Sequence, residues 1–311
     1  MNARVAMVLG AFALVGAGCG AEDLQGEDLQ EDELLAGDED VTGEAEQAVV
    51  YNPWPANSAL DIDTNFENGS WSPWSTHIDG AGKITIITDD GATTNLPNSG
   101  KKAVKFTTTG ADAYRAELKE SSSPGGRMDY DKEYWFGFAF RVEKWEQVDW
   151  AMLWQLHAVP SEWTTCKSGR NPITLTMTSD SKLALNVVDV PKTTTASGGA
   201  GGTRVWTEAS PITLNAWKRW VFRFKPSAGS GGVIEAWLNG AKVYTQNGPN
   251  VDALDTCGKA QQKWVSPKLG LYKSYSNTST QVVVYDDIRI DQTTGYPSAF
   301  NSVRPPGVAA K

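Results

Sequence analysis

Apolar and polar residues alternate in short runs along most of this chain, and Gly, Asn, Asp and Pro break the runs. Period-two alternation of this kind predicts β-strands, because successive side chains in a strand point to opposite faces. Strands are predicted at 61–66, 83–88, 102–107 and 113–119, then in the aromatic run 133–142 and at 151–157. Residues 173–178 and 182–188 predict a hairpin around Ser179-Asp180, and 221–224 a strand within the Trp-bearing segment 215–225. Segments 233–238 and 242–245 are joined through Asn239-Gly240, a dipeptide that tolerates the positive φ of a tight hairpin. Strands at 264–272 and 281–290 close the series. Loops are expected at 51–59, at Trp71 to Gly82 with His77, at 158–170, at the Thr/Gly/Ala-rich 191–202, and at 247–260. No helical period is sustained and no βαβ rhythm occurs. The predicted fold class is therefore all-β: a jelly-roll β-sandwich of two antiparallel sheets, one with a concave groove. It spans 51–297 as one domain, followed by a polar tail at 298–311.

The first residues change the reading of the charge. Arg4, an apolar stretch from Val5 to Val15 and small residues before Cys19 predict an export signal over 1–19. The stretch is shorter than the ~17 residues a membrane-spanning helix needs. Cys19 stands where a bacterial lipoprotein carries its lipid, so the expectation is a secreted protein or one lipid-anchored at the outer surface or in the periplasm. Residues 20–50 form an acidic tether or pro-segment, with twelve acidic side chains and no basic one between Gly20 and Gln47. The chain carries −9 overall, but the part beyond Gln47 holds 27 basic and 25 acidic residues. It can accept an anionic polymer without bulk charge demanding one. It has no basic stripe of the kind nucleic-acid binding needs. In an exported chain the two remaining cysteines, Cys166 and Cys257, predict one disulfide. The chain is expected to act as a monomer.

The candidate chemistry lies where polar residues repeat at period two on otherwise apolar strands. Arg115 and Glu117 share one face of their strand, as do Gln155 and His157, and Lys268 and Tyr272. Set side by side on a concave sheet, the three pairs would line a groove with carboxylate-binding groups, an acid and a base.

This order of motifs, Arg-x-Glu, Gln-x-His and Lys-x-Gly-x-Tyr, resembles the jelly-roll polysaccharide lyases related to heparin lyase I and glucuronan lyase. The alginate lyases of the same fold are more distantly similar. The resemblance covers Asp61 to Asp291 and implies β-elimination on 1,4-linked uronic acid polymers. In that reading Arg115, Gln155 and His157 neutralise the uronate carboxylate, and Tyr272 transfers the proton. His157 is the base instead where the C5 proton and the leaving oxygen lie on opposite sides. Lys268 grips substrate or eases Tyr272 ionisation, Glu117 orients its neighbours, and His77 is a further substrate-binding candidate. No cofactor is implied for catalysis. Glu67 and Asp287, beside Asp286, resemble a structural calcium site. Ala116, Lys119 and Val265-Ser266-Pro267 depart from the alginate lyase pattern, and the small basic surplus offers little to sulfates. An unsulfated polyuronate such as glucuronan is the first expected substrate, alginate the second. Two other functions fit the fold. A glycoside hydrolase needs two carboxylates facing the sugar, and a non-catalytic carbohydrate-binding module would use Trp145, Trp150 and Trp206 for stacking.

Overall fold

The computed structural model describes residues 61–91, 97–120, 127–159, 170–188, 202–255, 257–274, 278–292 and 295–311. The export signal with Cys19, the acidic segment, the 51–59 loop, Cys166 and most of the 191–202 loop lie outside these residues. In chain order the strands begin with β1 (Asp61–Thr64), β2 (Trp74–Asp79), β3 (Lys83–Thr88), β4 (Lys102–Thr109), β5 (Arg115–Glu120) and β6 (Met128–Asp129). They continue with β7 (Tyr134–Trp145), β8 (Ala151–Ala158), β9 (Ile173–Met177), β10 (Leu183–Val187) and β11 (Thr203–Thr207). The last are β12 (Lys218–Lys225), β13 (Val233–Leu238), β14 (Ala241–Asn247), β15 (Trp264–Lys273) and β16 (Thr280–Asp291), before helix α1 (Ser298–Val303).

Two eight-stranded antiparallel sheets result. One runs β14-β13-β12-β7-β16-β4-β3, with β1 also on β16. The other runs β11-β10-β9-β8-β15-β5-β2, with β6 also on β15. Every predicted strand is present, and the jelly-roll sandwich is the observed class.

The core between the sheets is aromatic because the inward positions of β7, β8, β12 and β16 are aromatic. Trp154 stacks on Phe222 with ring centroids 4.3 Å apart, and Phe138 packs on both Trp154 and Tyr285. Burying side chains of this size stabilises by roughly 1.5–3 kcal/mol each. Tyr285 also carries a polar tip across the core. Its hydroxyl donates to the Leu153 carbonyl and lies 3.4 Å from the Gly270 carbonyl. Both carbonyls sit where pairing slips: β8 shifts register between Met152 and Trp154, and β15 between Leu269 and Tyr272. A slipped ladder leaves carbonyls without strand partners, and this phenol reaches them from the opposite sheet.

Two expectations are corrected. Residues 298–311 are not a detached polar tail. Helix α1 buries Ala299, Phe300 and Val303, and these pack with Val308 on Trp135, Val221 and Trp237 as a second apolar cluster. Trp71 to Gly82 is not loop throughout, because Trp74–Asp79 forms β2 against β5.

Candidate active site

The second sheet places β15 between β5 and β8, with β2 beyond β5. In register, Tyr272 lies opposite Arg115, Lys268 opposite both Lys119 and Gln155, and Ser266 opposite His157. Ala116, Leu118, Leu156, Leu269 and Leu271 are fully buried in the core. Alternation therefore sends Arg115, Glu117, Gln155, His157, Lys268 and Tyr272 to the other face. The three predicted pairs share one face of three adjacent strands.

His77 joins them because β2 is a strand. It lies opposite Glu117, and Asp79 lies opposite Arg115. The sequence conceals this strand because Ser75, Thr76, His77 and Asp79 put polar groups on both of its faces, as an edge strand can. Arg115 Nη1 lies 2.8 Å from Nε2 and 3.0 Å from Nδ1 of His77. Its Nε is 3.3 Å from Asp79 Oδ2 and 3.9 Å from Glu117 Oε2. The guanidinium carbon sits 4.1 Å from the centroid of the Tyr272 ring. A cation over an aromatic face contributes about 0.5–2 kcal/mol, more as water is excluded. Burial works against the Arg115 charge, but Glu117, Tyr272 and Asp79 outweigh it and raise its pKa. Trp150 closes the far side of Tyr272, edge-on with centroids 5.1 Å apart.

Gln155 is fixed from both ends. Its Nε2 donates to Glu117 Oε1 at 2.8 Å, and its Oε1 accepts from Asn171 Nδ2 at 2.8 Å. One Nε2 hydrogen remains for a ligand. Asn171 carries no signal in the sequence, since a contact made through tertiary packing leaves no periodic trace. It is seated by its neighbour Arg170, whose guanidinium forms a buried pair with Asp252 at 2.9 Å. Glu117 is only 2% exposed; it accepts from Gln155 and lies 3.9 Å from the Arg115 Nε.

Both histidines are held uncharged. His157 is lowered well below its ordinary value by burial, then by Lys268 and Arg115. His77 is lowered from 6.5 to about 2 by burial, then by Arg115, Lys268 and Lys119. Below pH 6.5 the unfolded chain binds protons that these half-buried histidines resist, so stability is lost as pH falls through that value. A calorimetric series should show Tm falling between about pH 7 and pH 5, with a shallower fall in His77→Gln. An identical slope in the variant would mean that His77 titrates as a solvated group.

The residues expected to hold calcium brace a loop. Glu67 Oε1 accepts from the backbone N–H of Lys101 and of Lys102, both at 2.7 Å. Asp287 accepts from Asn98 Nδ2 at 2.7 Å and Ser99 Oγ at 2.6 Å, and Asp286 from the Ser99 N–H. Among the described residues no group of three or more His, Cys, Asp or Glu side chains could hold a metal ion. Yet Asp286 and Asp287 are buried side by side, and Asn98 Oδ1 is buried without a partner. Burial and the Asp287 charge push Asp286 up to about 8. Oxygen groups of this kind are what a hard cation takes, and here all four carboxylate oxygens accept hydrogen bonds within the protein. Cys257 is disulfide-bonded, and its expected partner Cys166 lies outside the described residues.

The tryptophans expected as exposed stacking platforms are half-buried. Trp145 and Trp206 pack partly buried against the core, Trp206 edge-on to Trp220, and Trp150 stands against Tyr272.

Comparison with known proteins agrees with this architecture. No curated protein sequence matches the chain. Among solved structures, the endo-β-1,4-glucuronan lyase of the fungus Trichoderma reesei is similar at 18% identity with a TM-score of 0.56, covering 79% of this chain and 98% of that one. The cellulose-induced protein Cip1 is similar at 16% identity and a TM-score of 0.49, covering 75% and 97%. The family 7 alginate lyase A1-II′ is similar at 14% identity and a TM-score of 0.43, covering 62% and 81%. The sequence model described as "Polysaccharide lyase" matches residues 66–289, which takes in the strands carrying all three motif pairs. The chain belongs to this polysaccharide lyase family.

Proposed function

We propose that the protein is an endolytic lyase that cleaves a 1,4-linked, unsulfated polyuronate by β-elimination, with glucuronan the first substrate and alginate the second. The observation that carries this reading is the Arg115 guanidinium on the Tyr272 ring, beside the buried Lys268 and the clamped Gln155 amide. Such a cluster offers several donors to a carboxylate and one hydroxyl to a proton in flight.

The chemistry requires removal of the C5 proton next to the uronate carboxylate, which pushes charge onto that carboxylate. Fixed donors aimed at developing charge lower the barrier most. Arg115, the remaining Nε2 hydrogen of Gln155, and an N–H of neutral His157 supply them. The electrons of the C5–H bond form the C4–C5 double bond, and the C4–O bond breaks. Tyr272, ionised beside the Arg115 cation, takes the proton on its phenolate oxygen and passes it to the leaving sugar oxygen. The Arg115 cation stabilises negative charge on the Tyr272 oxygen while the proton is away. This single-residue path suits glucuronate, whose C5 proton and leaving oxygen share a side. For the opposite configuration His157, whose uncharged ring leaves one nitrogen unprotonated, is the base and Tyr272 the acid; a uronate carboxylate bound beside it would offset the Lys268 and Arg115 charges that oppose its protonation. His77 accepts from Arg115 and holds that cation in place.

The hydrolase alternative has little support here. Its two carboxylates would have to face the sugar, but Glu117 is buried and both Glu117 and Asp79 lie against Arg115. The test is ultraviolet detection of 4,5-unsaturated ends on glucuronan, alginate blocks, hyaluronan, heparin and pectate. No product from any of them would sink the lyase reading.

Calcium belongs to the same proposal as a brace remote from catalysis. Asp286, Asp287 and Asn98 Oδ1 would hold it, with Glu67 anchoring the adjoining loop. A chelator is then expected to lower Tm by several degrees, and added calcium to restore it, through linkage of binding to folding. A Tm indifferent to both would remove calcium from the account.

A further inference from the structure

A line of polar side chains runs from Glu117 on β5, across the intervening β15 to Gln155 on β8, and on to Asn171 just before β9. All three are buried, so their donors and acceptors find partners within the protein rather than in water. An amide has nearly the same shape either way round, and its partners decide which end is which. The Glu117 carboxylate can only accept, so the end of Gln155 that meets it at 2.8 Å is Nε2. The other end, Oε1, can also only accept, and Asn171 meets it at 2.8 Å with Nδ2. The polarity of the whole line runs one way.

Asn171 is held from both sides along the chain. Arg170 gives its backbone N–H to Asp252 Oδ2 at 2.9 Å, and its guanidinium spans the same carboxylate with Nε at 3.1 Å and Nη2 at 2.9 Å. Pro172 follows, and a residue before proline is confined to extended backbone. The Pro172 carbonyl in turn accepts from the Val188 N–H at 3.0 Å, just beyond β10. A buried ion pair contributes little net stability once the water lost by both charges is counted. Arg170 and Asp252 are both buried, and what their pair does fix is the point at which the Asn171 side chain leaves the backbone.

Turned round, Gln155 would set Oε1 against the Glu117 carboxylate and Nε2 against Asn171 Nδ2, acceptor on acceptor and donor on donor. Each such mismatch between buried groups disfavours that state by about tenfold or more. In the orientation observed, one Nε2 hydrogen goes to Glu117 and the second is left for the face that carries Arg115, His157 and Tyr272. An inverted amide would offer a carbonyl oxygen to the very carboxylate that has to be neutralised.

We propose that Asn171 is a positioning residue for the elimination: it locks the Gln155 amide with its N–H donors, not its carbonyl, toward Glu117 and the bound uronate carboxylate. It acts through Gln155 and needs no contact with substrate. Rate depends on the lock because a fixed donor aimed at developing charge contributes about 10²- to 10³-fold, and a carbonyl in the same place opposes that charge. The catalytic consequence rests on the lyase reading; the orientation of the buried amide does not.

Two measurements on Asn171→Asp, Asn171→Leu, Gln155→Leu, and each Asn171 change repeated in Gln155→Leu decide the matter. In turnover, Asn171→Asp sets an acceptor against Gln155 Oε1 and should lower kcat about 10²-fold, with KM changed far less. Asn171→Leu removes the donor but leaves Glu117 its hold, and should lower kcat about tenfold. It adds no charge to the interior and keeps the test open should Asn171→Asp fail to fold. Once Gln155 is replaced by leucine, either Asn171 change should cost less than about threefold more, because residues that act as a unit are not additive. A residue that only supports the fold would cost the same in both backgrounds; that result, or an unchanged kcat in the Asn171 variants, would overturn the proposal. The second measurement is neutron diffraction from deuterated crystals, which shows directly which end of the Gln155 amide carries hydrogen. Wild type should place the nitrogen on Glu117, and Asn171→Asp should turn the amide or draw it off Glu117. A wild-type nitrogen on Asn171, or an amide undisturbed in Asn171→Asp, would overturn the lock. If wild type forms no unsaturated ends on any polyuronate, the lyase reading fails, and the diffraction comparison still decides the lock.

Discussion

Tyr272→Phe is expected to abolish the formation of unsaturated ends while leaving polymer binding largely intact. The phenyl ring keeps its packing over Arg115 and against Trp150, so the groove retains its shape. Only the hydroxyl is lost. A positioned proton-transfer group contributes about 10²- to 10⁴-fold to rate, and here one oxygen would serve twice for a glucuronate substrate. The effect should therefore appear in kcat, with KM little changed. Affinity electrophoresis of the variant should match wild type. Full activity in Tyr272→Phe would show that the proton is moved elsewhere, and His157 would be next to examine. A loss on alginate guluronate blocks that is matched by His157→Gln would instead indicate the two-residue path.

A large loss of stability is expected from Gly270→Ala. Gly270 has φ +136, a left-handed backbone that side chains rarely adopt. A Cβ there would lie 2.4 Å from the Ala116 carbonyl oxygen, 2.9 Å from the Glu117 Cα and 2.9 Å from Phe106 Cδ1. Two of these neighbours are backbone of β5 and cannot swing aside. Backbone strain and overpacking each cost about 1–3 kcal/mol. For a domain of this size that corresponds to a fall in Tm of roughly 10 °C. Activity at low temperature should also suffer, because Gly270 lies in register with Glu117, between Lys268 and Tyr272. If the variant melts within about 1 °C of wild type, β15 is far more pliable than its packing implies.

Much of this is legible in the sequence because strands with one buried face impose a strict alternation. Alternation alone assigns the pairs Arg115/Glu117, Gln155/His157 and Lys268/Tyr272 to their faces, and the order of their motifs carries the family. Three features resist such a reading. His77 sits on an edge strand with polar residues on both faces and a 41% exposed Ile78, so no alternation marks it; its ladder partner β5 lies about forty residues away in sequence. Strand β11 slips register against β10, so a period-two count through Val205 puts Arg204 on the wrong face. The C-terminal helix has only six residues, with Phe300 and Val303 hidden among Ser, Asn and Pro, and it exists by packing on Trp135 and Trp237 rather than by its own propensity. Asn171 belongs with these. Its hold on Gln155 depends on the Arg170–Asp252 pair, which joins segments eighty-two residues apart.

The Tyr285 hydroxyl has a bearing on how a floppy polymer is handled. It donates to the Leu153 carbonyl of β8 and lies 3.4 Å from the Gly270 carbonyl of β15, bridging both slipped strands to the opposite sheet beneath the residues proposed to move the proton. Those two strands cannot slide or part without exposing a buried phenol and two buried carbonyls, at about 1–3 kcal/mol for each group left unpaired. The floor under the sugar is thus set before substrate arrives. Fit has to come from the polymer, whose rings must adjust their torsions to a fixed pattern of charges. Stiff, regularly repeating stretches should be cut in preference to irregular ones, and a product gel comparing homopolymeric with mixed blocks would display this directly.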